Sequence, residues 1–203
     1  KLDKFLLKVQ KPARYTGGEL NSVVKNKKDI DIRFAFCFPD TYEIGMSHLG
    51  LKILYGLINS KENYWCERVF APDTDMEEVM RKNNIPLFGL ESHDSLKDFD
   101  AVGFTLQYEL SFSNVLNMLD LAGIPIKSED RGESLNDNPI VVAGGPCVVN
   151  PEPLADFIDC FQIGEGEEMM IDFLDLLNEY KKKNASRKEF LIAASQIEGI
   201  YVP

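Results

Sequence analysis

No run of roughly 18 apolar residues, the least a membrane-spanning helix needs, occurs in this 203-residue chain. Its longest apolar stretches, such as Ile140 to Ala143, have only strand length. The opening residues do not have the pattern of a secretory leader. A basic stripe is missing as well: 22 Lys and Arg against 33 Asp and Glu give a formal charge of −11. Nothing here can neutralise a row of phosphates, so direct nucleic-acid binding is not expected. Cysteine is sparse and scattered, and Cys37, Cys66, Cys147 and Cys160 form no C-x-x-C pair. That excludes a zinc ribbon and a small disulfide framework, and places the chain in a reducing cytoplasm. Only two histidines are present, His48 and His93, with no ligand spacing for zinc around them. Internal repeats and low-complexity tracts are also lacking.

What is present is an ordinary globular composition, 44% hydrophobic and 10% aromatic, enough to bury a full core as one domain with decorated ends. Apolar and aromatic residues from Ile32 to Phe38, closed by Pro39-Asp40, read as a strand buried on both faces. Leu49, Ile53, Leu54, Leu57 and Ile58 repeat at helical spacing and predict a helix over Ser47 to Asn59. Trp65 to Ala71 predicts a second strand, and Asp73 or Thr74 a cap for the helix that follows. Ile85 to Leu90 fits either a short strand or a covered loop. Further strands are expected at Ala101 to Leu106, Ile140 to Ala143 and Ile158 to Ile163. Helices are expected over Ser111 to Ala122, stopped by Gly123, and from Gly164-Glu165-Gly166 through Lys181. Ser128 to Asn138, rich in Asp, Glu and Asn, reads as a mobile surface connection.

Strands alternating with helices predict an α/β fold: a doubly wound parallel sheet, flavodoxin-like or Rossmann-like, with five principal strands in the order 2-1-3-4-5 and helices on both faces. Residues 1–30 read as an N-terminal extension, with a short helix over Leu2 to Val9; residues 31–183 as the α/β domain; residues 184–203 as a closing helix and linker strand. The missing initial Met and the strand-like end point to a piece of a longer protein.

In such a sheet a crevice opens at the strands' carboxyl ends. Four loops converge there: Pro39 to His48, Gln107 to Ser113, Gly144 to Pro153 and Gly164 to Glu168. Pro39-Asp40-Thr41-Tyr42-Glu43 is too bulky and acidic to cradle a phosphate, and Thr105-Leu106-Gln107 stands where a receiver domain needs its phospho-accepting Asp. The glutamates of the 164–168 segment admit two readings. They complement the helix dipole, or Glu165 accepts from ligand hydroxyls while Gly164 and Gly166 allow close approach.

Asp40-x-Tyr42-x-x-Gly45 has the spacing of the D-x-H-x-x-G signature of cobalamin-binding domains. With Ala13-Arg14-Tyr15-Thr16-Gly17-Gly18-Glu19, Ala143-Gly144-Gly145-Pro146 and Ile163-Gly164-Glu165-Gly166-Glu167, the chain resembles the front portion of an uncharacterised radical-SAM protein family carrying a cobalamin-binding-like domain. The resemblance implies cobalamin held by Asp40, Tyr42 and Gly45, with Thr105, Gln107, Gly144 and Gly145 beside its nucleotide tail. Tyr42 replaces the cobalt-ligating histidine, and a phenol is a poor metal ligand near neutral pH. His48 is the other candidate in the loop. The resemblance also implies a following barrel with an iron-sulfur cluster and S-adenosylmethionine, acting on an unknown substrate. The C-x-x-x-C-x-x-C motif of that barrel is missing here, so this piece is expected to be catalytically silent. A cofactor-free docking or substrate-recognition domain and a free-standing flavodoxin-like binding protein are the alternatives. Reading the gene past Pro203 separates them, since both radical-SAM readings require that cysteine motif soon afterwards.

Overall fold

The computed structural model describes residues 3–203. Six strands form one sheet: β1 (Ile32–Phe38), β2 (Tyr64–Phe70), β3 (Ala101–Thr105), β4 (Ile140–Gly144), β5 (Cys160–Gln162) and β6 (Ile200–Tyr201). Their order is β2-β1-β3-β4-β5-β6, parallel except for β6, which runs antiparallel to β5. The mixed α/β architecture is the flavodoxin-like one expected, and the sixth strand adds one edge pairing. No helix among the described residues is long and apolar enough to cross a membrane.

Alternation along the strands sorts the core into two faces. Ala35, Cys37, Val102, Phe104, Val141 and Phe161 pack against α4 (Thr74–Asn83) and α5 (Phe112–Ala122). Phe34, Phe36, Phe38, Val142 and Cys160 pack against α3 (Leu49–Asn59), α6 (Gly166–Lys182) and α7 (Arg187–Ala194). Cys37, Cys66 and Cys160 are buried, and burial pushes their thiols up; Cys147 is half-buried. Gly123 ends α5 in the left-handed region at φ 69°, as a helix stop requires.

Several elements depart from the sequence pattern. The expected helix over 47–59 is α3, and a short additional helix, α2 (Tyr42–Ser47), precedes it across His48, whose backbone is extended and whose ring Nδ1 accepts from Leu51 N–H at 3.1 Å. α2 is too short to show an apolar period, although Tyr42 and Met46 pack on the same core as α3. The residues 85–90 form no strand beyond a single bridge, Phe88 to Ser95. In the described part of the N-terminal helix, α1 covers only Asp3–Leu6; Leu2 lies outside the described residues. The 128–138 connection is anchored rather than loose. Arg131 is fully buried and, with Arg187, faces Asp159 at 2.9 and 3.0 Å. Asp159 also accepts from Val141 N–H, and burial lowers the Arg131 pKa.

The N-terminal segment packs on the sheet rather than extending from it. Lys25 Nζ donates to the carbonyls of Asn59, Lys61 and Tyr64, and Trp65 Nε1 donates to Val23 O. Outward backbone groups of edge strand β2 are likewise met without another strand: Asn59 brackets Cys66 N–H and C=O, while Glu91 accepts from Arg68 N–H and Leu90 N–H donates to Arg68 O. The segment after 184 belongs to the same core, since Phe190 and Ala194 are fully buried beside α6.

Replacing Asp159 by Asn leaves two buried guanidiniums without their counter-charge, and losing one partner of such a pair costs about 3–5 kcal/mol. Chemical denaturation of Asp159→Asn should show a loss of that size; a change below about 1 kcal/mol, the scale of an exposed pair, would contradict it.

Candidate functional site

A cavity of about 200 Å³ opens at the carboxyl ends of β1, β3, β4 and β5, between α3 and α6. Its origin is a size mismatch along neighbouring strands. β1 puts Phe34 and Phe36 on this face, while β3 and β4 put Gly103 and Gly144 there. A Cβ at Gly103 would overlap the Phe34 ring, so this glycine exists for the phenyl group above it. Gly144 is different, because a Cβ there would meet nothing closer than 3.8 Å. It leaves open space.

Polar groups in the lining are few. Gln162, only 5% exposed, lines the cavity with its amide nitrogen unpartnered, an unusual state for a buried polar group. Gln107 Nε2 donates to the Thr105 hydroxyl at 2.7 Å, which leaves the Thr105 proton free to donate elsewhere. His48 borders the cavity and packs on Phe38 with ring centroids 5.3 Å apart. Because its Nδ1 accepts from Leu51 N–H, a neutral ring carries its proton on Nε2. That tautomer offers a donor and no metal-binding lone pair.

Gly145, Gly164 and Gly166 complete the wall, and Gly145 has φ 101° with its backbone against Leu106. Glu167 lines the mouth, with Glu165 and Glu168 exposed beside it in and before the first turn of α6. Among the candidates from the sequence, then, His48, Thr105, Gln107, Gly144, Gly145, Gly164 and Gly166 line one cavity. Phe34, Phe36 and Gln162 join them, although no sequence motif marks these positions. An inward-facing glutamine at a strand's last residue was the available signal.

Asp40, Tyr42 and Gly45 are placed elsewhere. Asp40 Oδ1 accepts from Thr41 N–H, and its other oxygen accepts from the Tyr108 hydroxyl. That bond raises the Tyr108 pKa, helped by partial burial. Tyr42 turns towards the N-terminal segment, donating to Glu19 Oε1 at 3.0 Å and setting its ring edge-on to Phe70. Burial, and then the Glu19 carboxylate, raise the Tyr42 pKa. Glu19 also accepts from Arg68, which is bound in turn to buried Glu91. Gly45 is a packing glycine, since a Cβ would overlap the Phe70 ring. Among the described residues no group of three or more His, Cys, Asp or Glu side chains is placed to hold a metal.

The segments that follow the parallel strands at this end of the sheet expose large apolar side chains: Leu49 is 68% exposed, Leu110 88% and Val149 76%. Ile44, Tyr108 and Ile163 are also exposed in these segments.

A family model described as radical SAM proteins, N-terminal, matches residues 50–203. The chain belongs to the radical SAM N-terminal family. It is also 31% identical over 144 residues to the uncharacterized protein MJ0966 of Methanocaldococcus jannaschii, across 70% of this chain and 26% of that protein. The chain thus spans about a quarter of that relative's length. The radical SAM N-terminal match starts at Gly50 and takes in the cavity's β3, β4, β5 and α6 walls; the Asp40 to His48 loop precedes it.

Tyr42→Phe removes one hydrogen bond to a charged acceptor and should cost about 1.5–3 kcal/mol in thermal or chemical unfolding. Glu19→Gln in the same background should then add less than it does alone. Full additivity in that double-mutant cycle would show that Tyr42 and Glu19 are not coupled.

Proposed function

We propose that this domain is the docking and positioning module of a radical-SAM protein, turning its strand-end face towards the radical-SAM region of the same polypeptide and holding a small ligand or substrate in the cavity at the centre of that face. The apolar rim carries this reading. Exposed Leu49, Leu110 and Val149 follow strands whose carboxyl ends also frame the cavity, and apolar side chains collected at one place on a surface mark a contact site. The chemistry of the cluster and S-adenosylmethionine belongs to that other region. This domain contributes orientation, exclusion of water and a fixed distance.

Hydrogen exchange tests the docking. In the full-length protein, amides in 106–111 and 146–150 should exchange at least about tenfold more slowly than in the 203-residue chain, the mark of a locally stabilised contact region. Equal exchange in the two would remove the docking reading.

A corrinoid is the second reading, favoured by one observation: Thr105, Gln107, Gly144 and Gly145 share a cavity at the positions where the family resemblance puts a nucleotide tail. The donor set does not fit a cobalt ligated from this chain. Tyr42 is engaged by Glu19, and the Leu51 amide fixes His48 in the tautomer that lacks a free nitrogen. A corrinoid would therefore rest on the rim with no protein ligand under the metal. A spectral titration with hydroxocobalamin should give at most a spectrum without histidine ligation, unchanged in Tyr42→His because position 42 faces Glu19. A histidine-ligated spectrum in that variant would require α2 to turn over and would contradict this placement.

A further inference from the structure

Two features of the cavity have no role in docking: the unpartnered amide of Gln162 and the space left at Gly144. Which ligand they suit depends on the reading above that the strand-end cavity holds a small molecule. Volume gives the first limit. At about 200 Å³ the cavity lies below the ~300–1,000 Å³ of ordinary small-molecule pockets, so it suits a single compact ring system. The lining gives the second. Phe34, Phe36, Val142 and Met170 present apolar surface, and phenyl faces favour a flat π-system.

Charge gives the third limit. A helix N-terminus ordinarily attracts a phosphate, but here the start of α6 is already complemented by Glu165, Glu167 and Glu168 at the mouth. An anionic group entering past three exposed carboxylates meets repulsion. Sugar hydroxyls meet acceptors instead.

Polar recognition gives the last. A primary amide carries a donor and an acceptor side by side, and it pairs in bidentate fashion with the adenine edge formed by the exocyclic amine and the adjacent ring nitrogen. Gln162 is the amide whose nitrogen lacks a partner, and a ring acceptor would supply one.

We infer that the strand-end cavity binds an adenine-type base, as the free base or an uncharged nucleoside rather than a nucleotide, with Gln162 reading its edge. The probes are adenosine, inosine and AMP, titrated against the 203-residue chain and followed through the side-chain amide resonances of Gln162 in ¹H–¹⁵N NMR. Adenosine should bind saturably and shift those resonances. Inosine, which lacks the exocyclic amine, should bind at least about tenfold more weakly, the scale of one lost hydrogen bond, and AMP should be weakened at least about as much by repulsion from the carboxylates at the mouth. Gln162→Leu, followed instead through the backbone amides of Gly144 and Gly145, should weaken adenosine by a similar factor while leaving the fold intact, since it replaces an unsatisfied buried amide by an apolar side chain. Gly144→Val, at a strand position where a Cβ meets no close neighbour, should abolish binding by filling the space. Absence of saturable adenosine binding to the folded chain, AMP or inosine binding as tightly as adenosine, or parent-like binding in both variants would overturn the proposal. The docking reading is tested separately, because exchange at 106–111 and 146–150 is measured without any ligand.

Discussion

Arg68 is the residue on which three separate parts of the molecule converge. Its guanidinium, on edge strand β2 and 5% exposed, binds Glu91 from the loop after α4, Glu19 and Ser22 from the N-terminal segment, and lies over the Tyr55 ring of α3. Burial works against its charge, yet the flanking carboxylates outweigh that and raise its pKa. Glu91 shows the other side of the arrangement, because burial raises its pKa despite the salt bridge. Groups so placed are costly to separate and add little when already satisfied. Their contribution here is geometric. They fix Glu19, Glu19 fixes Tyr42, and Tyr42 fixes α2 beside the strand-end loops.

The same chain of contacts reaches the signature residues of the first loop. At Asp40-x-Tyr42-x-x-Gly45 the spacing survives, but Asp40 is taken by Tyr108, Tyr42 by Glu19 and Gly45 by the Phe70 ring. These contacts tie the first loop to its surroundings. The cavity it borders is made by other residues, from β1, β3, β4, β5 and α6.

Much of the architecture was legible because it follows from local rules. Buried parallel strands read as apolar runs, Gly123 marked the end of α5, and Asp73 the start of α4. Elements that depend on partners far along the chain were not legible. Arg131 lies in a polar, loop-like stretch, and nothing near it in sequence reveals Asp159 or Arg187 waiting to bury it. Lys181 reads as part of a solvated lysine run, yet it pairs with half-buried Asp100. The glycine-marked loops lie at the end of the sheet where the cavity opens. The cavity's polar reader did not stand out, because Gln162 is an ordinary residue within a strand until its amide is seen without a partner.

The sealing of β2 has a consequence for how this domain meets other proteins. Asn59, Glu91, Leu90 and Lys25 occupy the hydrogen-bonding positions along its open side, and β6 lies antiparallel along β5 at the other border. An incoming peptide therefore finds no vacant row of amides and carbonyls on β2 to extend the sheet. Recognition through strand addition along that border is closed off, and with it the commonest path by which sheets of identical molecules zip together. At that border contact must be made by side chains, which is a selective surface rather than a generic one.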